Sequence, residues 1–503
     1  MNNPFIRRGV APLLSPLLAA LLLTACATPD FVQPNVATPA AFRESQAPKA
    51  ADVEVAGVDG ARWKPAQPAE AQPRGQWWLA FNDPALTALI EEAAANNANL
   101  SVAASRVKQA RAIAGIAEAD RIPQVGIGIG AQRARLSPLE SNLPQGSDTE
   151  ARTSYTARLS ASYEVDLFGR VAAGVSAARG DAATSEANFR SVLLALQADV
   201  AQTYFRLRAL DAELVTVDET VRLREESVGV TQRRFDLGDI GEFDLSRART
   251  ELATARAEAI GVRRQRATTE HALAVLLGKP AADYVAGPSP LLDANLMPAI
   301  PAGLPSSLLE RRPDIVAAQR AMEASNARIG VARGAMFPAL TISADGGGVG
   351  GVFSEVFKWS SRSWVVGALA SMPLIDGGRN RNNVLRSEAA LEESVGTYRQ
   401  SVLVAFAEVE DNLAGLRILA GQSAQIDAAV VSARRSADLA QKLYDAGRSS
   451  YLELLDAQRN LATVERAAVQ LRGDRALTTV ALIRSLGGGW DAPQAEAATL
   501  VQR

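Results

Sequence analysis

Hydrophobic residues recur at every seventh position along two long stretches of the chain that contain no proline. In the first stretch, from residue 170 to residue 237, these positions are Leu193, Val200, Leu207, Leu214, Val221, Val228 and Phe235. In the second, which begins at Arg379, they are Val402, Val409, Leu416, Ser423, Val430, Ala437 and Tyr444. A sustained seven-residue repeat is typical of helices that pack as a coiled coil. Each stretch predicts a helix of roughly 100 Å.

Other stretches alternate apolar and polar residues with a period of two, which predicts β-strands. In TSYTARLSASYEV the apolar positions are Tyr155, Ala157, Leu159, Ala161, Tyr163 and Val165, and polar residues lie between them. Two β-hairpins are predicted, at residues 123–165 and 338–374. Their strands also include PQVGIGIGAQRAR, from Pro123, and SRSWVVGALASMPLI, from Ser361. A strand of this length with one apolar and one polar face is typical of a membrane barrel wall. The pattern alone also fits a water-soluble hairpin.

The chain contains two related copies of one large unit. FDLGDIGEFDLSRARTELATARAE begins at Phe235 and YDAGRSSYLELLDAQRNLATVERA begins at Tyr444, which is an offset of 444 − 235 = 209 residues. The same offset relates Gly169-Arg170 to Gly378-Arg379. A constant offset predicts tandem copies of one structural unit. We assign the first repeat to 84–290 and the second to 291–487, with coiled coils at 170–277 and 379–486. The turns of these coiled coils are predicted at Gly238 and Gly447.

The N-terminus has the pattern of a secretory signal peptide. Arg7 and Arg8 precede a mostly apolar run that ends in Leu23-Thr24-Ala25-Cys26. The run is too short for a stable membrane span. Its end resembles a bacterial lipoprotein signal, which implies removal of residues 1–25, a covalent lipid on Cys26 and sorting to the outer membrane. Residues 26–83 are rich in proline and predict a lipid-anchored extended segment. Residues 488–503 form a C-terminal tail.

Composition narrows the possible functions. The net charge of −2 gives no basic footprint for nucleic acid. The chain has one histidine and one cysteine, which excludes His/Cys zinc clusters and an internal disulfide. His271 lies near a predicted helix end and is interpreted as an ordinary helix residue. We therefore expect no enzyme activity, no metal site and no cofactor other than the lipid on Cys26.

Four strands per chain are too few to close a barrel, because single-chain barrels begin at eight strands. Open sheet edges are not tolerated in lipid. The chain is therefore expected to oligomerise. A dimer gives eight strands and a filled interior, whereas a trimer gives twelve strands and room for a wet lumen. The polar strand faces favour a homotrimer with a 12-stranded barrel and a 12-helix periplasmic tunnel.

Four stretches carry a family resemblance: SYEVDLFGR from Ser162, GLPSSLLERRPDIVAA from Gly303, LLDAQRNL from Leu454 and SLGGGW from Ser485. Together they resemble the TolC-like outer-membrane efflux lipoproteins, the NodT-like branch that serves RND-type tripartite pumps. The resemblance covers nearly all of the mature chain. It implies a trimeric all-α coiled-coil and β-barrel duct in the outer membrane of a Gram-negative bacterium. It also implies two partners, a periplasmic adaptor and an inner-membrane pump, and passive export of small molecules such as drugs.

By the same resemblance, Leu452 and Asp456 form an apolar and an acidic ring at a periplasmic aperture, and Tyr444 and Glu453 belong to its surroundings. Other roles remain open for these residues. Ser450-x-x-Glu453 fits a helix capping box, Asp456 suits the positive end of a helix, and Leu452 fits coiled-coil packing. Two other functions also remain open: a duct for protein secretion, and a lipid-anchored coiled-coil scaffold without a pore.

Overall fold

The computed structural model describes residues 29–34, 39, 42–44, 76–140, 142, 144–291, 298, 300 and 311–488. The predicted signal peptide, Cys26 and almost all of the C-terminal tail lie outside these residues. Among the described residues, none of the helices combines the length and the apolar character that crossing a membrane requires.

The chain divides into two compact units. The first comprises the described parts of Met1–Asn35, Arg106–Glu186 and Ala317–Tyr398. The second comprises the described parts of Val36–Ser105, Ala187–Val316 and Arg399–Arg503. Each unit takes residues from both sequence repeats, so the repeats do not coincide with the compact units.

Seven α-helices lie in the described residues: α1 Pro84–Asn96, α2 Ala98–Ala119, α3 Arg170–Asp236, α4 Glu242–Leu276, α5 Pro313–Gly334, α6 Arg379–Asp445 and α7 Tyr451–Ser485. The helices α3 and α6 have 67 residues each, and α4 and α7 have 35 each. Both pairs begin 209 residues apart (379 − 170 and 451 − 242). Each sequence repeat thus contains one long helical hairpin, α3 with α4 in the first repeat and α6 with α7 in the second.

The start of the first repeat folds as two helices, α1 and α2, and not as one continuous helix. The chain breaks at Asn97, which lies between α1 and α2 with extended backbone angles. Its side-chain oxygen accepts a hydrogen bond from the Leu100 amide at 3.1 Å, and its amide nitrogen donates to the Leu276 carbonyl at 2.9 Å. Asparagine satisfies the free amides at a helix start in this way, so a new helix begins here.

The largest apolar core lies in the second unit. The short 3₁₀ helix Trp77–Phe81 places Trp77, Trp78 and Phe81 against α1, α3, α4 and α7, where all three are buried. Asp83 then caps α1, because its carboxylate accepts from the Ala85 and Leu86 amides. The heptad residues Val200 and Leu207 are fully buried in the same core. The seven-residue pattern therefore does pack as predicted in this region.

The described N-terminal residues pack against helices of the unit to which they belong. In the first unit the Asn326 side chain donates to the Pro29 carbonyl at 2.7 Å, and Gln33 donates to the Tyr398 hydroxyl at 3.2 Å. In the second unit the Glu410 carboxylate accepts from the amides of Arg43 and Glu44. These described parts of the predicted leader are thus held against α5 and α6.

The first unit contains one antiparallel sheet in the order β1-β2-β3-β4. Its strands are β1 Gln124–Ala134, β2 Arg152–Val165, β3 Ala339–Gly350 and β4 Arg362–Ser371. The two predicted hairpins pair with each other through β2 and β3, in register Leu159↔Gly346. Among the described strands, β1 and β4 have no further neighbour, so both edges of the sheet are open.

Candidate functional site

The register gives the sheet one apolar face. One row across the four strands contains Ile127, Leu159, Gly346 and Trp364, and the next contains Val125, Ala161, Ala344 and Val366. The opposite face carries the rows Gly128, Arg158, Gly347 and Ser363, then Gly126, Ser160, Asp345 and Val365. The apolar side chains at both edges are largely exposed in the single chain.

Aromatic residues gather where β3 turns into β4. Short 3₁₀ helices, Phe353–Phe357 and Trp359–Ser361, form this connection. Phe353 packs edge-on against Tyr155 with ring centroids 6.1 Å apart. Trp359 and Trp364 are 82% and 81% exposed. Exposed aromatic residues at the margin of an apolar strand face are typical of a membrane–water interface.

The two hairpin turns at the far end of the long helices have the same geometry. Gly238 and Gly447 have φ angles of 76° and 67°, in the left-handed region that favours glycine. The Asp239 amide bonds to the Arg234 carbonyl and the Arg448 amide to the Leu443 carbonyl, each at 2.9 Å. These bonds close the helix ends in the Schellman pattern. The glycines predicted at the turns are thus required by the backbone.

We expect Gly447→Ala to destabilise the second turn by about 1 kcal/mol, because a Cβ is disfavoured in the left-handed region. Gly421→Ala is the matched control: it lies within α6, and an added Cβ meets no atom within 4 Å. This control should be neutral or slightly stabilising. Hydrogen exchange at the turn amides measures the difference. Equal protection of the turn in both variants would contradict the account.

Glu453 forms a complete capping box at the start of α7. The Ser450 hydroxyl accepts from the Glu453 amide at 3.3 Å, and the Glu453 carboxylate accepts from the Ser450 amide at 3.1 Å. A hydrogen bond from the Ser449 hydroxyl and the bond from the Ser450 amide hold the pKa of Glu453 below its usual range. The side chain predicted near the aperture is therefore occupied in ordering its own helix start.

Leu452 and Asp456 lie one helical turn apart on the exposed side of α7. Leu452 is 44% exposed and the Asp456 side chain is 63% exposed, whereas Leu454 and Leu455 are buried. At the 209-residue offset their counterparts on α4 are Phe243 and Arg247. The first hairpin thus keeps the apolar position but reverses the charge, so the two tips are chemically different.

Tyr444 joins the ends of the two hairpins. Its hydroxyl accepts a hydrogen bond from Arg234 at 3.0 Å, and the Arg234 guanidinium lies 5.5 Å from the centre of its ring. Arg234 also pairs with Asp239 in the first turn at 2.6 Å. Tyr444 packs on Tyr451 in a small cluster that includes Leu455, Val228 and Ala248. The first and second hairpins are therefore in direct contact near their tips.

Arg459 makes a two-pronged ion pair between the hairpins that was not predicted from the sequence. Both oxygens of Glu251 on α4 accept hydrogen bonds from its guanidinium. Those bonds hold the pKa of Glu251 below its usual range. The same guanidinium lies 3.9 Å from Asp456. The only sequence signal was an arginine three residues after the acidic candidate, which places both on one helix face.

Two further hydrogen bonds join the hairpins nearby. Arg224 on α3 donates to Gln458 on α7 at 2.6 Å. The hydroxyls of Ser227 and Tyr451 lie 3.0 Å apart. With the Arg459–Glu251 pair and the Tyr444–Arg234 bond, these contacts connect α6 and α7 to α3 and α4 over several turns of helix. Moving one hairpin against the other requires breaking them together.

Comparison with known proteins gives consistent results. The sequence profile of the family described as outer membrane efflux protein matches the chain twice, over residues 89–279 and 304–488. The pyoverdine export outer membrane protein OpmQ of Pseudomonas putida is 33% identical over 475 residues, which cover 94% of this chain and 96% of that protein. The antibiotic efflux pump outer membrane protein ArpC of Pseudomonas putida is 34% identical over 483 residues, covering 95% and 96%.

Solved structures agree with the sequence relatives. A crystal structure of CusC, described in terms of folding and transmembrane channel formation, matches with a TM-score of 0.79 at 28% identity. The match covers 92% of this chain and 99% of the CusC chain. The structural match therefore extends over most of the chain.

Proposed function

The chain belongs to the outer membrane efflux protein family, and we propose that three copies of it enclose the exit duct of a tripartite efflux pump. It is an outer-membrane efflux protein of a Gram-negative bacterium. In the proposed assembly, four strands from each copy form a 12-stranded barrel and the long helices form a periplasmic tunnel. The duct is passive, and the inner-membrane pump supplies the energy.

One observation carries this proposal: the sheet has an apolar face and two open edges. An apolar sheet face in lipid requires that every strand edge is paired. The free edges of β1 and β4 are antiparallel to one another and similar in length, at 11 and 10 residues. The free edge of β4 in one copy can therefore pair with that of β1 in the next, and a ring of copies leaves no edge exposed.

The mass of the detergent-solubilised protein tests this assembly. Native mass spectrometry of the mature protein should give a species of three chains. A stable species of two chains would leave eight strands and a filled interior, and would contradict the duct. A monomer that remains folded and inserted would contradict the edge-pairing argument.

The partners and the cargo follow from the relatives as proposals. The relatives are named for pyoverdine export and antibiotic efflux, so we propose small organic molecules as the cargo class. A periplasmic adaptor and an inner-membrane RND-type pump are the proposed partners. A lipid on Cys26 is the proposed anchor, and mass spectrometry of the mature N-terminal peptide would identify it.

We further propose that the second hairpin closes the periplasmic end of the duct. In a ring of three, the exposed Leu452 and Asp456 of each copy face a common axis and form an apolar and an acidic constriction. Widening it requires α6 and α7 to move away from the axis. The Arg459–Glu251 pair and the Tyr444–Arg234 bond oppose that movement, because both connect the moving hairpin to its neighbour within the chain.

Arg459→Ala is expected to raise single-channel conductance several-fold, because it releases Glu251 and removes the charge beside Asp456. Arg435→Ala is the matched control, since among the residues that the structure describes Arg435 pairs only with Asp438 on its own helix, and both are exposed. The control should conduct like wild type. Equal conductance of all three proteins would place the constriction elsewhere.

The pH dependence of the conductance follows from the direction in which the pKa of Glu251 is shifted. Its lowered pKa means that the link is fully formed above the usual glutamate value of about 4.3 and is lost only as pH falls through the lower value. Wild-type conductance should therefore not rise between roughly pH 8 and pH 5.

A further inference from the structure

Arg158 lies in a part of the polar sheet face that has very few side chains. Its direct neighbours in the register are Gly128 on β1 and Gly347 on β3. A Cβ added at Gly128 would meet no atom within 4 Å, so the space beside the arginine is open. A Cβ at Gly347 would collide with the Ala157 carbonyl, so only glycine fits there. Gly348 is required in the same way, because a Cβ there would collide with the Val356 carbonyl.

The hydroxyls next to Arg158 turn away from it. Thr156 and Ser160 lie two residues before and after it on the same face, and each hydroxyl is 3.5 Å from a carbonyl oxygen of β1. Arg158 is exposed and has no hydrogen bond or ion pair with any residue that the structure describes. Its guanidinium is therefore free to extend from the sheet.

Asp345 is the neighbouring charge on this face. It pairs with Ser160. That row lies next to the Arg158 row, on the side away from the β1–β2 and β3–β4 connections. Rows on one face are two residues apart, or about 7 Å. Asp345 also lacks a hydrogen bond or ion pair with any described residue. In contrast, Glu164 on the same face is held by two bonds from Arg170.

We infer that Arg158 and Asp345 form two adjacent rings of opposite charge in the barrel lumen, and that each ring sets the local preference for cations or anions at its level of the lumen. The inference rests on the proposed trimeric duct. Twelve strands tilted by about 40° give a lumen of about 24 Å between backbones. An extended arginine then reaches to within about 6 Å of the axis, inside the Debye length of about 10 Å at 0.1 M salt.

The two rings carry opposite charges that sum to zero, but they lie at different levels of the lumen. A solute that moves through the lumen meets an acidic level and a basic level in succession. Neither cations nor anions are excluded, which suits cargo of either sign and cargo that carries both charges. Loss of one ring leaves the other unopposed, so the single variants should shift charge preference in opposite directions.

The labelling rate of a cysteine introduced at Gly128 reports the local electrostatic potential. This rate does not depend on the periplasmic aperture. Gly128→Cys fits the open space beside Arg158, and Ile127→Cys places a control thiol on the apolar face. Both are treated with an anionic and a cationic methanethiosulfonate reagent from the outer side of intact cells. The wild type, whose single cysteine is Cys26, supplies the blank.

Arg158→Gln in the Gly128→Cys background should lower the ratio of anionic to cationic labelling rates by about threefold to tenfold, as expected for one charge at about 6 Å in water. Asp345→Asn should raise the ratio, and the double variant should return it toward the starting value. Arg135→Gln is the control, because Arg135 pairs with Asp148 between β1 and β2, and should leave the ratio unchanged.

The possible outcomes distinguish a failure of the proposed duct from a failure of the proposed charged rings. If Gly128→Cys reacts no faster than Ile127→Cys, the face assignment fails and the proposed duct fails with it. If Gly128→Cys alone reacts, but neither Arg158→Gln nor Asp345→Asn changes the ratio, the duct is supported and the charged rings are overturned.

Discussion

Val366→Arg is expected to abolish assembly in the outer membrane. Val366 lies on the apolar face of β4 in a row with Val125, Ala161 and Ala344. A lipid-facing arginine near the membrane midplane costs about 2–4 kcal/mol, and a trimer carries three, for a total of roughly 6–12 kcal/mol. That total is comparable to the whole stability of many domains. The trimer yield in purified outer membranes measures the effect.

The adjacent residue provides the matched control. Val365 is 59% exposed and Val366 63% exposed in the single chain, so their burial is nearly equal. Val365 points to the other face, in a row with Ser160 and Asp345. Val365→Arg should therefore face the aqueous lumen and assemble at close to the wild-type level. Equal assembly of both variants would contradict the assignment of the faces.

Asp211→Ala should be the most destabilising change among the helical ion pairs. The Asp211 side chain is 1% exposed and accepts from Arg208, Arg266 and the Ser289 amide. The two arginines also donate to the carbonyls of Gly287 and Ala286, so they hold the segment after α4. Removing one partner of a buried ion pair costs about 3–5 kcal/mol. Here the buried Arg208 loses its carboxylate partner, whereas Arg266 keeps its ion pair with Glu270.

Asp218→Ala is the control on the same two helices. Asp218 pairs with Arg263 at 2.7 Å, but the two side chains are 48% and 59% exposed. An exposed pair contributes about 0–1 kcal/mol. Denaturant unfolding of the solubilised protein measures both variants. A similar small loss in the two would mean that the Asp211 network does not stabilise the fold.

The periodic elements were predictable because their signal is local. The proline-free stretches that follow Gly169 and Gly378 located the starts of α3 and α6, and the seven-residue pattern predicted that they continue to the turns. The alternation in β2 gave its two faces directly. In β4 the run Trp364-Val365-Val366 is apolar throughout, so only the register against β3 assigns its faces. The trimer and the lipid on Cys26 stay predictions.

The polar contacts near the tip were less predictable because their partners are distant in sequence. Ser450-x-x-Glu453 is a short motif, and its capping box could be anticipated. Glu251 and Arg459 are 208 residues apart, and any of several charged residues on α4 would have fitted an arginine on α7. Only the alignment of the two hairpins selects this pair. The roles proposed for Leu452, Asp456 and Tyr444 remain predictions.

The most direct test of a water-filled duct closed at its periplasmic tip is planar-bilayer conductance of the wild type beside the double variant Leu452→Ala/Asp456→Ala. The account predicts small, cation-favouring currents from the wild type. The variant should give larger currents with weaker cation preference, since both constricting side chains are removed from each of three copies. A well-folded trimer that gives no current in either form would contradict the duct and favour a coiled-coil scaffold without a pore.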